Sequence, residues 1–223
     1  MANWSTNLSK SGLGKLEILP KSFYQRDTLQ VAHELLGKIL VVPDSRKDQN
    51  IMVAGRIVET EAYRNDDPAS HSARGETPRS SVMFGEPGLA YVYFIYGNYF
   101  CFNVVTETEG IGAAVLIRGV EPINGIAAMK RNRGVIHKDC DLSNGPSKFC
   151  LAFNIDKKDN KIDLTKDKIY FAKHRKKENI IISVAKRIGI REGAELPYRY
   201  FIKDNPYVTK HKLNKEILTE IKL

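Results

Sequence analysis

The sequence predicts an α+β fold built on a largely antiparallel sheet. Three observations carry this reading: β-prone runs outnumber helical ones, two of those runs flank a tight-turn signal at Gly97-Asn98, and a few capped helices are interspersed among the strands. A length of 223 residues suits one domain, and 42% hydrophobic with 27% charged residues is a globular balance rather than a disordered one. Residues 1–18 are expected to be loosely ordered, with a single domain over 19–223.

Each element has a local reason. Asp27-Thr28-Leu29-Gln30 reads as a capping box. The helix after it sets Leu29, Val31, Leu35 and Leu36 on an apolar side and stops at Gly37. Lys38–Val42 is a short buried strand, Asp44–Asn50 a polar turn, and Met52–Tyr63 a long alternating strand. Asn65–Arg79 is a loop rich in turn residues. Leu89–Tyr96 and Tyr99–Thr106 form the hairpin, and Gly112–Arg118 is a further strand. Pro122 precedes a helix through Ala127, Met129 and Arg133, stopped at Gly134, and Pro146 opens another through Phe149 and Leu151. The charged stretch Lys157–Lys177 reads as loop with short strands, followed by strands at Ile180–Val184, Lys186–Ile190 and Tyr198–Lys203.

Charge is unevenly distributed. The chain carries 35 Lys+Arg against 26 Asp+Glu. Residues 1–110 hold 11 basic and 13 acidic side chains, so residues 111–223 hold 24 and 13, a net of +11. A half this basic points to a polyanionic partner, nucleic acid or an acidic membrane, rather than only to a solvated surface. Three cysteines, Cys101, Cys140 and Cys150, form neither a disulfide framework nor a zinc module and read as reduced thiols. The first residues lack a signal-peptide apolar stretch, and the apolar run Leu89–Val105 is broken by Gly97 and Asn98, so an intracellular protein without a membrane span is expected.

Four groups of residues stand out as candidates for chemistry. On the long strand, side chains of one parity share a face, so Val53, Ile57, Glu59, Glu61 and Tyr63 point together. Carboxylates among apolar neighbours need a task or a partner; both glutamates can equally pair with arginine or lysine at a sheet edge. His71 stands alone in a polar loop with no second histidine at ligand spacing, which argues against a metal site. Seven of the twenty aromatic residues fall between Tyr91 and Phe102. Core packing absorbs several of these, but four tyrosines around a turn suit stacking on bases or wedging between them. Finally, Arg118 ends a strand, Lys130, Arg131 and Arg133 cluster on one helix, and Gly145-Pro146-Ser147-Lys148 opens a helix whose free N–H groups attract phosphate.

Taken in order, Glu59-Thr60-Glu61-Ala62-Tyr63, His71-Ser72, Thr77-Pro78-Arg79, Tyr91 through Gly97, Phe100 through Asn103, Arg118 with Glu121-Pro122, and Gly145 through Lys148 make a pattern. It resembles the alkyladenine (3-methyladenine) DNA glycosylase family over residues 20 to 208. The resemblance implies a compact domain around a curved antiparallel sheet with surrounding helices and a protruding β-hairpin. It implies a monofunctional base-excision repair enzyme that flips alkylated or deaminated purines from double-stranded DNA and hydrolyses the N-glycosidic bond. No metal or organic cofactor is implied, and the enzyme would work as a monomer, associated with DNA and, in a prokaryote, with the nucleoid. By the same resemblance Glu61 is the general base and Arg118 lies beside the attacking water. Tyr63, His71 and Tyr93 stack the base, Asn103 crowds the purine 2-position, and Tyr96 is the wedge. Arg79, Met83, Arg133 and Lys148 fall in segments that line the DNA. The residues alone leave two rivals open: a non-catalytic binder of damaged or single-stranded nucleic acid, and a hydrolase of free nucleosides.

Overall fold

A computed structural model describes residues 16–43, 52–95, 97, 99–166, 168–173 and 179–222. The polar turn expected at Asp44–Asn50, the expected wedge Tyr96, the turn residue Asn98 and most of the 1–18 segment expected to be loosely ordered therefore lie outside the described residues. The strands are β1 (Glu17–Ile18), β2 (Ile39–Pro43), β3 (Met52–Tyr63), β4 (Ala90–Ile95), β5 (Tyr99–Val105), β6 (Ala114–Asn124), β7 (Tyr170–Lys173), β8 (Ile181–Ala185), β9 (Arg199–Ile202) and β10 (Ile217–Lys222). The helices are α1 (Lys21–Tyr24), α2 (Thr28–Glu34), α3 (Ile126–Arg133) and α4 (Pro146–Phe153). Together they make one α+β domain on an open sheet of ten strands, with every described pairing antiparallel.

The main path runs β1-β7-β2-β3-β6-β5-β4, and β9 joins β3 to β8, which pairs in turn with β10. β3 is the pivot because its length lets one edge serve two partners. Its first half, Met52–Arg56, pairs with β2, and Glu59–Glu61 pair with β9, while β6 follows the opposite edge throughout. The sheet thus forks at Glu59–Glu61, and that segment is enclosed on both sides. Register shifts fall there too: Thr60 faces Ile117 but Glu59 faces Gly119, which leaves Arg118 as the extra residue of a β-bulge. Bulges re-aim a side chain, and this one sits between two buried carboxylates.

One face of the sheet packs on α2 and α4. Phe102, Phe149, Phe153 and Phe171 are fully buried there, each contributing roughly 1.5–3 kcal/mol by burial. Asp27 Oδ1 accepts from the Gln30 N–H at 3.0 Å, the first half of the predicted capping box, and Thr60 Oγ1 donates to Ala32 O at 2.8 Å, tying α2 to β3.

Four local expectations are corrected. The strand expected at Gly112–Arg118 spans Ala114–Asn124 and turns at Gly125 with φ +75°, and the helix expected after Pro122 follows from Ile126 to its stop at Gly134. Arg56 bonds Glu121 at 2.6 Å across this extension, and Gly55 lets the strands close, since a Cβ there would lie 2.7 Å from Glu121 O. Lys186–Ile190 is a loop rather than a strand, and β10 was not expected at all. In the hairpin the last described pair is Ile95 with Tyr99, one residue out of register from a two-residue Gly97-Asn98 turn. Gly97 sits at φ +76°, a conformation glycine adopts without Cβ strain. The hairpin end is exposed, with Phe94 at 52% and Tyr99 at 42%.

Candidate active site

Register across the sheet assembles the site. Glu61 on β3 faces Leu116 on β6, Leu116 faces Asn103 on β5, and Asn103 faces Tyr91 on β4. Residues in such a row share one face of the sheet. Leu116, Asn103 and Tyr91 form the floor of a cavity of about 580 Å³, within the range of ligand-binding sites. The loop after β3 supplies His71 and Arg79 to its wall, β4 supplies Tyr93, and the loop after β8 supplies Ile188 and Ile190. Asn103 is held by its Nδ2 donating to Tyr91 O at 2.9 Å.

The aromatic wall is mutually braced. His71 meets Tyr93 edge-on at 4.6 Å between centroids, and His71 Nδ1 lies 2.8 Å from the Tyr91 hydroxyl. The Arg79 guanidinium sits 5.3 Å from the Tyr93 ring centre, a cation–π approach. Burial first, and then Arg79, holds His71 below the ordinary histidine value, so its imidazole is neutral at pH 7. Burial, reinforced by Glu61, raises the Tyr63 phenol, and burial raises Tyr93, so both stay protonated. Burial likewise pushes the Cys101 thiol to about 11, which leaves it protonated and a poor nucleophile.

Beneath this wall lies a charged array. Glu61 is fully buried, one layer behind Tyr63, Leu116, Arg118 and Ile188, which all line the cavity. Its Oε2 accepts from Tyr63 OH at 2.9 Å and from Arg118 Nη1 at 3.1 Å, and its Oε1 accepts from the Ile188 N–H at 2.8 Å. Arg118 also donates from Nε to Glu59 Oε1 at 3.1 Å. Burial disfavours the Arg118 charge, but Glu61, Glu59 and Tyr63 outweigh it and raise its pKa. Burial opposes ionisation of Glu59 as well, yet Arg118, Arg199 and Thr209 together hold its pKa below the ordinary carboxylate value.

The sequence flagged Glu59, Glu61, Tyr63 and Arg118, and the structure brings all four together. The remaining candidates differ in placement. Met83 is 2% exposed and packs with Val82 and Tyr91 where it lines the cavity. Lys148 is half exposed beside the N-terminus of α4 and donates to Asn144 Oδ1 at 2.8 Å. Arg133 is partly buried, and its guanidinium donates to the carbonyls of Leu142 and Asp141 at 3.2 and 3.3 Å. Arg133 and Lys148 do not line the cavity.

Sequence reading missed Asp67, Arg187, Arg199 and Thr209. Arg187 and Asp67 form a fully buried bidentate pair. The Arg187 guanidinium also lies over the Tyr63 ring at 4.7 Å, bracing it. Arg199 Nε donates to Glu59 Oε1 at 2.7 Å, and Thr209 donates to Oε2 from its N–H and Oγ1. A charged residue within the apolar run Tyr198–Lys203 was a signal of the kind that singled out Glu59. Among the described residues no group of three or more His, Cys, Asp or Glu side chains is placed to hold a metal ion, and no helix is long and apolar enough to cross a membrane.

The chain matches the family described as Methylpurine-DNA glycosylase (MPG) over residues 22–206. Three curated relatives share the name "Putative 3-methyladenine DNA glycosylase". The one from Carboxydothermus hydrogenoformans is 48% identical over 194 residues, covering 86% of this chain and 99% of the relative. Those from Legionella pneumophila (strain Corby) and Clostridium tetani are 46% and 44% identical, each covering 86% of this chain and 98% of the relative.

Proposed function

The chain belongs to the methylpurine-DNA glycosylase family, and we propose that it is a monofunctional glycosylase that flips alkylated or deaminated purines out of duplex DNA and releases the base by hydrolysis. The observation that carries this reading is the Glu61 carboxylate, buried beneath an aromatic cavity and held by Arg118, Tyr63 and Ile188. A carboxylate has about four acceptor sites, and Glu61 uses three. The fourth, on Oε1, takes no donor from the described residues, and a water admitted between the covering residues Tyr63, Leu116, Arg118 and Ile188 would fill it. Glu61 orients that water and takes its proton as it attacks C1′, while the C1′–N bond breaks and the base leaves. The sugar acquires oxocarbenium character, by analogy with glycoside hydrolysis, and the nearby carboxylate stabilises that charge. Arg118 holds the carboxylate in place through its Nη1–Oε2 bond.

Flipping a base costs a few kcal/mol, least for a damaged or mispaired one. Stacking on Tyr63, His71 and Tyr93 returns roughly 1–3 kcal/mol per base, enough to offset much of it. A neutral His71 suits an uncharged aromatic wall. Asn103 and Leu116 set the depth of the floor, so Asn103 is the residue that crowds a purine substituent. Arg79 and Lys148 supply positive charge toward the phosphates, with Arg133 nearby, and Met83 shapes the cavity. Tyr96, next in sequence to the turn residue Gly97, is the candidate wedge. No lysine lines the cavity among the described residues, which supports water rather than an amine as nucleophile. The protein would act as a monomer on DNA, at the nucleoid in a prokaryotic cell.

Base release from a duplex carrying one hypoxanthine tests the proposal. Free hypoxanthine and an abasic site are expected under single-turnover conditions. Tight binding without release would make the protein a binder, and cleavage of free deoxyinosine at a comparable rate would make it a nucleoside hydrolase.

A further inference from the structure

We propose that Glu59 is a positioning residue for the Arg118–Glu61 pair, and that through it the C-terminal segment at Thr209–Asn214 sets the rate of base release; this rests on the catalytic reading of Glu61 above. Glu59 is fully buried and does not line the cavity. Its four acceptor sites are filled: Oε1 by Arg118 Nε at 3.1 Å and Arg199 Nε at 2.7 Å, Oε2 by Thr209 N–H at 2.7 Å and Thr209 Oγ1 at 2.6 Å. It has no site left for water or substrate, so its chemistry is spent on holding other groups.

What it holds is the fork of Arg118. That arginine is the bulged residue of β6, so its aim depends on side-chain partners as well as on the ladder. Glu59 takes the Nε edge, and Nη1 is thereby delivered to Glu61 Oε2. Without the Glu59 charge, the guanidinium is free to close on Glu61 as a bidentate pair. The second bond would land on Oε1 and occupy the acceptor site that the attacking water needs.

The C-terminal segment locks the arrangement. Arg199 Nη2 donates to Asn214 Oδ1 at 2.8 Å, and Asn214 Nδ2 donates to Thr209 O at 3.0 Å, closing a ring through Glu59. Gly119, directly after Arg118, makes room for it: a Cβ there would lie 2.6 Å from Tyr207 O and 3.1 Å from Glu59 Cβ. A segment more than eighty residues away in sequence is thus packed against the residue that follows the catalytic arginine.

The test compares Glu59→Gln, Glu59→Asp, Thr209→Val and Glu61→Gln with the parent protein, measuring single-turnover hypoxanthine release and lesion-duplex Kd, with circular dichroism to confirm folding. Misplacing a positioned group by about 1 Å costs on the order of a hundredfold. Glu59→Gln is expected to lose roughly that in rate with Kd within about twofold, the mark of an interaction made only in the transition state. Glu59→Asp restores the charge and should recover part of the loss. Thr209→Val keeps the charge and removes one donor from the partly exposed side, so it should slow release by a smaller factor, again at unchanged Kd. It also carries the test alone if Glu59→Gln does not fold. Parental rates in the folded variants, a loss matched by weaker binding, or a Glu59→Asp no faster than Glu59→Gln would overturn the proposal. Glu61→Gln separates the two layers: if it excises at the parental rate, the catalytic reading falls and the positioning role with it. An inactive Glu61→Gln beside parental Glu59 and Thr209 variants overturns the positioning role alone.

Discussion

Replacing Glu61 with glutamine removes the base while nearly preserving shape. In the parent, Glu61 Oε2 accepts from Tyr63 OH and Arg118 Nη1, and Oε1 accepts from the Ile188 N–H. A glutamine offers one carbonyl oxygen and one NH2 to these donors. With its oxygen toward Arg118, the NH2 opposes the Ile188 N–H; turned over, the NH2 faces Arg118. Either way one buried donor goes unmet, at a cost of about 1–3 kcal/mol in stability. Arg118 still has Glu59 as counter-ion, so no isolated charge is stranded and the variant should fold. The rate effect is larger. A positioned general base contributes about 10²–10⁴-fold, or roughly 3–5 kcal/mol of barrier. Single-turnover release of hypoxanthine should fall by at least the lower figure, while binding of the same duplex, measured in parallel, stays near parental. Excision within about tenfold of the parent would refute the assignment, because the loss would then be smaller than any general base supplies.

Three other perturbations probe the surroundings. Asn103→Ser withdraws the Nδ2 donor from Tyr91 O and opens the floor beside Leu116; excision of normal guanine should rise relative to hypoxanthine, and an unchanged ratio places selectivity elsewhere. Asp67→Ala strands the Arg187 charge in a site where both side chains are fully buried. A loss of about 3–5 kcal/mol is expected, read as a lower urea midpoint; a shift smaller than about 1 kcal/mol would mean that the loop relaxes to admit water. Lys148→Glu should reduce the slope of log K against log salt for undamaged duplex by about one or more without changing lesion preference. Arg133→Glu, by contrast, also strips donors from the carbonyls of Asp141 and Leu142 and should cost about 1–3 kcal/mol of stability. An unaltered salt slope in both would put the DNA on another face.

Much of this site was legible in the chain itself. Alternation along Met52–Tyr63 placed Glu59, Glu61 and Tyr63 on one side of a strand, because side chains of one parity share a face wherever the strand forms. Apolar neighbours marked those carboxylates as residues needing partners. The glycine-bearing turn announced the hairpin, and the helix caps at Asp27 and Pro146 were local signals that needed no tertiary context. Parity could not say which glutamate keeps an acceptor site open, since that depends on donors from Ile188, Arg199 and Thr209, far along the chain. Nor could local signals carry β6 past Arg118 to Asn124, which it reaches because β3 offers a ladder edge and Arg56 a charge partner for Glu121.

What the sequence by itself determined is therefore the family, the strand-dominated architecture and the identities of the central residues, since composition, periodicity and motif order are properties of the chain. Tertiary structure alone decided the register. The pairing of Ile95 with Tyr99 sets Asn103 opposite Tyr91, whereas a slip of one residue would turn the strand's side chains to the other face. It decided the bulge that aims Arg118, the fork at which β9 replaces β2 beside β3, and the descent of Thr209 onto Glu59 over the bare Cα of Gly119. The bulge, the fork and this descent are contacts between segments distant in sequence, made favourable only when the rest of the sheet is in place.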